Sequence, residues 1–444
     1  MSQYAMICPP LPSHIYTVAA LGRELARRGH SVTMIGLPDA KAQIEAEHLQ
    51  YHPIGETGHP VGEVARFRKQ LAETKGIAGL RLAMAAVRRM NETLFAELPG
   101  ILRHIGADAL IADQAEAAAG TVAERAGLPW ITVCNALPIH REPLLPPYFT
   151  SWQYRPDSFG RLRNFVGYAG FDVITASIRK GVQLRRSEWK LPLYRHPDEV
   201  NSPVLQLIQT VPEFDFPRAK LPPVFHYTGP FRRESHKKIE FPWHRLTGRP
   251  LVYASMGTLQ TRLPAVFTAI AEACRNIRAQ LVLSLGNGFS AEEVGTLPGS
   301  PIVVDFAPQF ELLQRADVFI THGGLNSVQE SIMAGVPAIT IPITSDQGGV
   351  AARVTWTGAG EMIRLGQLSA ARLQAALQRV LREPTYKANV ERLRRVMLSS
   401  GGVELAADLT ESALKQYRTV PAPDKAMHAS RQATETGTLA ALPH

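Results

Sequence analysis

Residues 318–330 read Val318-Phe-Ile-Thr-His-Gly-Gly-Leu-Asn-Ser-Val-Gln-Glu330 and contain the clearest fold signal in the chain. The first four residues are typical of a buried β-strand, and the two glycines allow a tight turn into a helix that begins at about Leu325. A strand that leads through a short turn into a helix is the repeating unit of a parallel sheet covered by helices. The stretch therefore predicts an α/β fold.

Polar groups gather around this turn in a way that favours an anionic ligand. Backbone N–H groups at the start of a helix, together with the helix dipole, attract negative charge. His322, Asn326 and Ser327 add side-chain donors, and Glu330 lies one turn further, where it can accept hydrogen bonds from hydroxyls. This set of donors and acceptors matches a diphosphate joined to a ribose.

Strands and helices alternate along two parts of the chain. Up to about residue 140, apolar runs such as Tyr4–Cys8 and Trp130–Cys134 alternate with helical patterns, and the alternation restarts at Leu251–Ser255. The 444 residues are enough for two such units. Two α/β halves enclose a cleft, which is where ligands usually bind.

The proline-rich stretch 211–250 separates the two halves. It contains Glu213-Phe-Asp215, which we predict to be a solvated loop, while the helical pattern 78–105 is expected to be interrupted at Pro99-Gly100. The predicted units are an N-terminal Rossmann-like domain at 1–218, a linker at 219–250, a C-terminal Rossmann-like domain at 251–402, a C-terminal helix at 403–419 and a disordered tail at 420–444.

Two chemistry-bearing residues are expected at strand ends in the first half. His14 follows the first strand in Pro9-Pro-Leu-Pro-Ser-His14, and Asp113 closes a later strand, Leu110-Ile-Ala-Asp113. Open α/β sheets bind ligands in the crevice at the carboxyl ends of their strands. A histidine there suits proton abstraction near neutral pH, although a histidine at a helix start is by itself also typical of an ordinary surface position.

Composition and missing motifs exclude several protein classes. Three scattered cysteines (Cys8, Cys134 and Cys274) fit a reducing compartment and not a disulfide framework or a cysteine-based zinc site. No apolar run reaches the roughly 18–20 residues that span a bilayer, and the N-terminus lacks a signal peptide's basic region, so we predict a cytoplasmic protein. The sequence contains no Asp-x-Asp, Walker A or His-Glu-x-x-His motif, so we expect no bound metal.

The whole block from Phe306 to Gln347 resembles the nucleotide-sugar motif of the family 1 UDP-dependent glycosyltransferases. It includes Phe306-Ala-Pro-Gln309, Gly335-Val-Pro337 and Asp346-Gln347, and Ser255-Met-Gly-Thr258 matches the family's second phosphate-contacting turn. The resemblance implies the GT-B fold, in which two Rossmann-like domains with parallel sheets face an interdomain cleft. The nucleotide-sugar-binding residues it implies are Ser255, Gly257, Thr258, Phe306, Ala307, Gln309, His322, Gly324, Asn326, Ser327, Glu330, Asp346 and Gln347.

The resemblance also implies a role for each part of this set. Phe306 takes the place of the ring that stacks on uracil, where the family usually has Trp, and Gln309 neighbours the base and ribose. Glu330 accepts from the ribose hydroxyls, and Asp346 and Gln347 bind hydroxyls of the donor sugar. The residues that contact the diphosphate are His322, Asn326 and Ser327.

In this family a histidine after the first strand is the general base and an aspartate on a later strand orients it, which implies these catalytic roles for His14 and Asp113. His30 is also matched, and we interpret it as structural. Further matches, such as Val211-Pro-Glu-Phe-Asp-Phe-Pro217, resemble the carotenoid branch of the family, which glucosylates zeaxanthin. The predicted acceptor pocket lies in the long loop 136–160 and consists of Leu144, Tyr148, Phe149 and Trp152.

The formal net charge of +9 is concentrated in one segment. Residues 155–190 contain eight basic and three acidic side chains, with aromatic residues between them. Such a segment could contact an anionic membrane surface, or it could be an ordinary solvated helix face. No nucleic-acid-binding motif is present, so we predict no nucleic-acid partner.

These observations predict an inverting glycosyltransferase. The donor is a UDP-sugar, with UDP-glucose as the expected one, used as a co-substrate without a permanently bound cofactor. The acceptor is an apolar alcohol, a hydroxylated carotenoid such as zeaxanthin, with another small lipophilic or phenolic alcohol as the alternative. Two further alternatives stay open, namely a UDP-sugar epimerase on the same fold and a non-catalytic binding protein.

Overall fold

The structure is a computed structural model that describes residues 1–74, 76–231, 239–257, 264–286 and 294–419. Thr258, a predicted phosphate contact, and the predicted tail 420–444 lie outside these residues. The described chain forms two parallel β-sheets, each covered by helices, which confirms the α/β fold.

The first sheet contains seven parallel strands in the order β3-β2-β1-β4-β5-β6-β7. Most of its strands are apolar runs that are buried on both faces, as expected for a sheet between two helix layers. Its strands are β1 (Gln3–Ile7), β2 (Ser31–Gly36), β3 (Gln50–Pro53), β4 (Ala109–Asp113), β5 (Trp130–Cys134), β6 (Leu205–Ile208) and β7 (Phe225–Tyr227).

The second sheet contains six parallel strands in the order β10-β9-β8-β11-β12-β13. The order of each sheet reverses once, between β1 and β4 in the first and between β8 and β11 in the second, and such switch points are where α/β sheets bind ligands. Its strands are β8 (Leu251–Ser255), β9 (Gln280–Ser284), β10 (Ile302–Val304), β11 (Val318–Thr321), β12 (Ala338–Thr340) and β13 (Gly360–Met362).

Helices connect the strands and form the outer layers. Among the described residues, six belong to the first half: α1 (Pro12–Arg27), α2 (Lys41–Ala46), α3 (Glu63–Glu73), α4 (Gly76–His104), α5 (Ala119–Ala126) and α6 (Ser158–Glu188). The second half has α7 (Pro264–Asn276), α8 (Gln309–Leu313), α9 (Leu325–Met333), α10 (Gln347–Trp356), α11 (Ala370–Arg382), α12 (Pro384–Ser399) and α13 (Gly402–Thr419).

The expected interruption at Pro99 is wrong, because α4 continues through this residue to His104. Leu94, Leu98 and Leu102 are all buried and lie on one face of the helix. An interior proline costs about 3 kcal/mol in a helix. Burial of these leucines, at about 1.5–3 kcal/mol each, outweighs that cost.

The chain crosses between the two halves twice. The stretch 219–250, predicted as a linker, contributes β7 to the first sheet before the chain reaches β8. At the other end, α13 returns to the first half, where Ala406, Ala407 and Leu414 pack into the same core cluster as α1. The domain boundaries given above stay predictions.

An apolar cluster joins the two halves. Leu137, Val211 and Phe214 of the first half are buried together with residues of the second half. Their partners lie on or beside α9, α10 and α12 and include Leu325, Val328, Val350, Val354 and Leu393. Above it, Asn326 at the start of α9 donates to Thr17 of α1, so the helices that follow the two switch points face each other across the cleft.

Candidate active site

His14 and Asp113 meet at the switch point of the first sheet. Asp113 is the last residue of β4, which pairs with β1, and His14 is the third residue of the helix that follows β1. His14 Nδ1 lies 2.7 Å from Asp113 Oδ2, and the other carboxylate oxygen accepts from the Ala115 N–H at 2.9 Å. The carboxylate is therefore fixed on both sides, and the ring nitrogen Nε2 is the atom of His14 that can receive a proton.

The surroundings of His14 raise its pKa above the ordinary value of 6.5. Burial by itself would lower the pKa, but the charge and hydrogen bond of Asp113 outweigh burial, with smaller contributions from Asp346 and Glu116. The pair can thus stabilise an imidazolium, as a general base requires after it has accepted a proton.

Glu116 is a further carboxyl group at this position, and the sequence analysis missed it. It is buried, and burial together with the charge of Asp113 raises the pKa of Glu116 to about 8. The group is therefore largely neutral at pH 7 and adds little charge to the His14–Asp113 pair. Its position in Asp113-Gln-Ala-Glu116, three residues after a strand end, is the signal that could have indicated it.

The second switch point brings His322 between two glycines. Ser255 of β8 is paired with Thr321 of β11, so the turns that follow these strands lie side by side. A Cβ atom on Gly257 would lie 2.7 Å from Cε1 of His322, and one on Gly324 would lie 2.8 Å from its Nε2. Only glycine fits at either position, which explains both glycines of the predicted phosphate turns.

His322 is uncharged at neutral pH in this environment. Burial lowers its pKa to about 4, while a hydrogen bond with the Ser255 backbone acts in the opposite direction and is weaker. A neutral imidazole has a single N–H group, so His322 can donate to a diphosphate oxygen only in place of its hydrogen bond with the Ser255 backbone. The backbone N–H groups at the start of α9, which begins at Leu325, would stabilise the negative charge of the diphosphate together with His322.

The predicted base and ribose residues form one network at the edge of the second sheet. Gln309 donates to the Glu330 carboxylate and lies 3.5 Å from Ser327 Oγ. The buried Tyr253 of β8, which the sequence analysis missed, donates to Gln309 Oε1 at 3.1 Å. Close by, Ala307 is buried and Phe306 is 46% exposed.

Asn326, a predicted diphosphate contact, reaches across the cleft. Its Nδ2 donates to Thr17 Oγ1 of α1 at 3.2 Å, and its Oδ1 accepts from Gln209 Nε2 at 2.7 Å. Gln209 also accepts at its backbone oxygen from Gln329. In this structure Asn326 joins the two halves, so its predicted phosphate role requires the cleft to rearrange around a donor.

Asp346 and Gln347 lie at the start of α10, beside the turn formed by His322, Gly323 and Gly324. Burial raises the pKa of Asp346, while a backbone hydrogen bond from Leu137 and the charge of His14 lower it. The predicted sugar site and the predicted base are therefore within electrostatic reach of each other. Gln347 Oε1 accepts from the backbone N–H groups of Ile343 and Thr344, so a sugar hydroxyl would meet its NH₂ group.

Three of the four predicted acceptor residues, Tyr148, Phe149 and Trp152, pack against the inner side of α6. The Phe149 ring stacks on Phe171 with centroids 5.0 Å apart, and Tyr148 meets both rings edge-on. Trp152 packs one turn earlier, against Gly167 and beneath the Arg163 guanidinium. Leu144 is partly buried in the same loop.

This loop also contacts the sugar side of the cleft. A Cβ atom on Gly349 would lie 2.0 Å from the Tyr148 carbonyl oxygen, and one on Gly348 would lie 3.0 Å from that of Phe149. The first turn of α10 and the aromatic loop are thus in direct backbone contact. The structure brings the predicted base, sugar-binding and acceptor residues together.

The predicted solvated loop at Glu213-Phe-Asp215 is wrong for Asp215, which is 3% exposed. Its carboxylate accepts from Arg218 Nε, the Tyr227 hydroxyl and Arg353 Nε, each at 2.7 Å. Burial would raise the pKa of Asp215, but Arg218 and Arg353 hold it well below its ordinary value. The aspartate is buried because Arg218, three residues away, and Arg353, 138 residues away, both neutralise its charge.

A family model described as UDP-glucoronosyl and UDP-glucosyl transferase matches residues 105–399. This chain belongs to that family. It is a glycosyltransferase that uses a nucleotide-sugar donor. The matched residues include the turn at His322, the network of Gln309 and Glu330, and α10. His14 lies before the matched residues.

Two relatives of this glycosyltransferase are similar over nearly their whole length. The zeaxanthin glucosyltransferase of Pseudescherichia vulneris is 32% identical over 424 residues, which cover 95% of this chain and 100% of the relative. The zeaxanthin glucosyltransferase of Pantoea ananas is 32% identical over 418 residues, which cover 93% and 96%.

Solved structures confirm that the fold is GT-B. The glycosyltransferase of kitacinnamycin superposes with a TM-score of 0.68 at 24% identity, over 93% of this chain and 98% of that one. The calicheamicin glycosyltransferase CalG4 gives a TM-score of 0.67 at 22% identity, over 95% and 100%. At these identities the likeness concerns the fold alone.

The described part of the enzyme contains neither a candidate metal site nor a candidate membrane-spanning helix. No group of three or more His, Cys, Asp or Glu side chains among the described residues could hold a metal ion. Within the same residues, no helix is both long and apolar enough to cross a bilayer. The three cysteines are free and buried.

Proposed function

We propose that this enzyme is an inverting glucosyltransferase that transfers glucose from UDP-glucose to a hydroxyl of a hydroxylated carotenoid such as zeaxanthin. The observation that supports the chemistry best is the contact of 2.7 Å between His14 Nδ1 and Asp113 Oδ2 at the switch point that faces the donor half. The similarity to two zeaxanthin glucosyltransferases supports the choice of acceptor.

In the proposed reaction, His14 Nε2 accepts the proton of the acceptor hydroxyl. The hydroxyl oxygen attacks the anomeric carbon from the face opposite the diphosphate, the bond from that carbon to the diphosphate oxygen breaks, and UDP leaves with the bonding electrons. Asp113 stabilises the imidazolium that forms, while His322 and the N–H groups at the start of α9 stabilise the negative charge on UDP.

The acceptor site supports a long apolar substrate. Tyr148, Phe149 and Phe171 form a continuous aromatic cluster beside the sugar side of the cleft. Rings of this kind bury large apolar area and tolerate a flat conjugated chain against their faces. Another lipophilic or phenolic alcohol would meet the same surface and is the alternative acceptor.

Mass spectrometry of reaction products tests the proposal directly. The full chain is incubated with UDP-glucose or other UDP-sugars and a panel of hydroxylated carotenoids and phenols. We expect mass increases of one or two hexoses on the carotenoid diol. Glycosylation of phenols alone would reject the carotenoid acceptor, and an altered UDP-sugar in the absence of acceptor would indicate an epimerase.

The His14→Ala variant separates catalysis from binding. Loss of a general base typically lowers turnover about 10²–10⁴-fold. UDP binding, measured by calorimetry, should stay nearly unchanged because the donor half is intact. His104→Ala, at the end of α4 and outside the cleft, is the matched control. A chain that binds UDP but transfers no sugar to any acceptor would favour a non-catalytic role.

A further inference from the structure

Helix α6 presents an apolar face to solvent on the side away from the acceptor cluster. Residues at a spacing of three or four lie on one face of a helix. Six large apolar side chains of this helix are between 55% and 77% exposed: Phe159, Leu162, Phe165, Val166, Val173 and Leu184. We call these six residues the outer face of α6.

The inner side of the same helix accounts for its packing within the protein. Asn164, Ile178 and Val182 are buried, and Gly167 and Phe171 contact the aromatic loop. The helix therefore does not need its outer face for folding. Large aromatic and aliphatic side chains that stay exposed on a helix already packed along its other side indicate an interaction surface.

Positive charge accompanies this apolar face. Arg161 and Lys180 are exposed and have no ion-pair partner among the residues that the structure describes. The acidic groups of the segment are neutralised instead, because Asp172 pairs with Arg141 and Arg179 and Asp157 pairs with Arg155. The charge left over on the outer face is positive.

We propose that the outer face of α6 docks on an anionic bilayer surface. Apolar side chains that enter the interface, combined with basic residues near anionic headgroups, are what holds an interfacial helix on a membrane. The proposal deepens the proposed function, because Phe171 on the inner side of this helix stacks on Phe149 of the acceptor loop. A helix is about 10 Å across, so docking holds the acceptor site within one helix diameter of the lipid.

Vesicle sedimentation of the full chain tests the docking itself. The probes are phosphatidylcholine vesicles with and without 30 mol% phosphatidylglycerol, at about 50 and 500 mM NaCl. We expect binding to the anionic vesicles that weakens at high salt. Leu162→Ser with Phe165→Ser should weaken binding at least about tenfold, and Arg161→Glu with Lys180→Glu by about thirtyfold at low salt.

Matched variants elsewhere on the surface control for nonspecific effects. Val61→Ser with Leu398→Ser removes apolar side chains that are 76% and 41% exposed, and Arg372→Glu reverses an exposed charge on α11. These variants should bind vesicles like the unmodified chain. Equal loss in the control and test variants, or no binding at all, would overturn the proposal.

Two further outcomes are distinguished by the same set of proteins. If sedimentation velocity shows a dimer that Leu162→Ser with Phe165→Ser dissociates, the face belongs to a second copy and the membrane proposal fails. In a separate assay, the rate of glucosyl transfer is measured with the carotenoid diol in vesicles and with a water-soluble alcohol. In the test variants, only the rate with the diol in vesicles should fall. Vesicle binding without transfer to any carotenoid would keep the docking and reject the proposed acceptor.

Discussion

Arg353, on helix α10, donates through Nε to Asp215 Oδ1 at 2.7 Å, and the two side chains are 2% and 0% exposed. The pair joins the donor half to the loop that follows β6 in the first half. Arg353 also donates to the Gly349 carbonyl and lies 4.3 Å above the Phe216 ring. Since α10 begins at the predicted sugar-binding residues, this pair fixes their position relative to the first half.

Replacing Arg353 by Met should lower the free energy of unfolding by about 3–5 kcal/mol, because the change leaves a buried charge without one of its partners. Urea unfolding followed by circular dichroism measures the loss. Lys41→Met is the control, since its pair with Glu45 is more than half exposed and exposed pairs contribute at most about 1 kcal/mol. An equal loss in both variants would contradict the structural role of the pair.

The acid limb of kcat/KM should have a midpoint above pH 6.5, because His14 must be unprotonated to act and its pKa is raised. Asp113→Asn removes the attraction that raises this pKa and leaves the burial that lowers it. We therefore expect a midpoint below pH 6.5, with turnover reduced about 10²–10⁴-fold. Rates measured between pH 5 and 9 with saturating donor give the midpoint and the turnover of each variant.

Glu116→Gln is the control for that experiment. The pKa of Glu116 is about 8, so the carboxyl group is neutral over the acid limb and the amide replaces it without a change in charge. The midpoint should stay where it is in the unmodified enzyme. If Glu116→Gln moves the midpoint as far as Asp113→Asn does, the pKa of His14 is not set by Asp113.

Gly257→Ala should weaken UDP binding at least about tenfold, equal to 1.4 kcal/mol, because the new Cβ atom would lie 2.7 Å from the His322 ring. Calorimetric titration with UDP measures the change. Gly248→Ala is a close control: both glycines have positive φ angles, of 77° and 74°, but a Cβ atom on Gly248 meets nothing within 4 Å. Equal affinity in the two variants would exclude the steric role of Gly257.

Gly349→Ala should raise the KM for the acceptor and leave UDP affinity nearly unchanged. The added Cβ atom would lie 2.0 Å from the Tyr148 carbonyl oxygen, so the aromatic loop has to move away from α10. Steady-state kinetics with the acceptor varied measures the effect. Gly366→Ala, where the space is open, should behave like the unmodified enzyme. A change in donor affinity alone would place the defect in the donor half.

Strands that lie in longer apolar runs could be predicted from the sequence, and β7 and β13 could not. The runs at β1, β5 and β8 are almost continuous stretches of buried residues, which is how strands of a covered parallel sheet look in a sequence. β7 and β13 have three residues each, too few to show a period, and β7 lies in a proline-rich stretch. These strands form because a neighbouring strand offers hydrogen bonds.

The same division applies to the candidate site. His14, Asp113 and the turn at His322 follow strand ends, so their place at one edge of a sheet could be predicted before any contact was known. Tyr253 carries no such signal because it lies inside a strand. Gln209 follows β6, a strand of four residues that is not among the predicted ones. Their roles depend on Gln309 and Asn326, which are 56 and 117 residues away.

The sequence by itself determined the two βα series, the strand, turn and helix around His322, and the family, because each of these depends on residues within a few positions of one another. Only the tertiary structure decided that Asp215 is buried, since its partner Arg353 is 138 residues away. It also decided that α13 returns to the first half and that Asn326 faces Thr17. Contacts of this kind depend on which distant surfaces meet, and no local pattern encodes them.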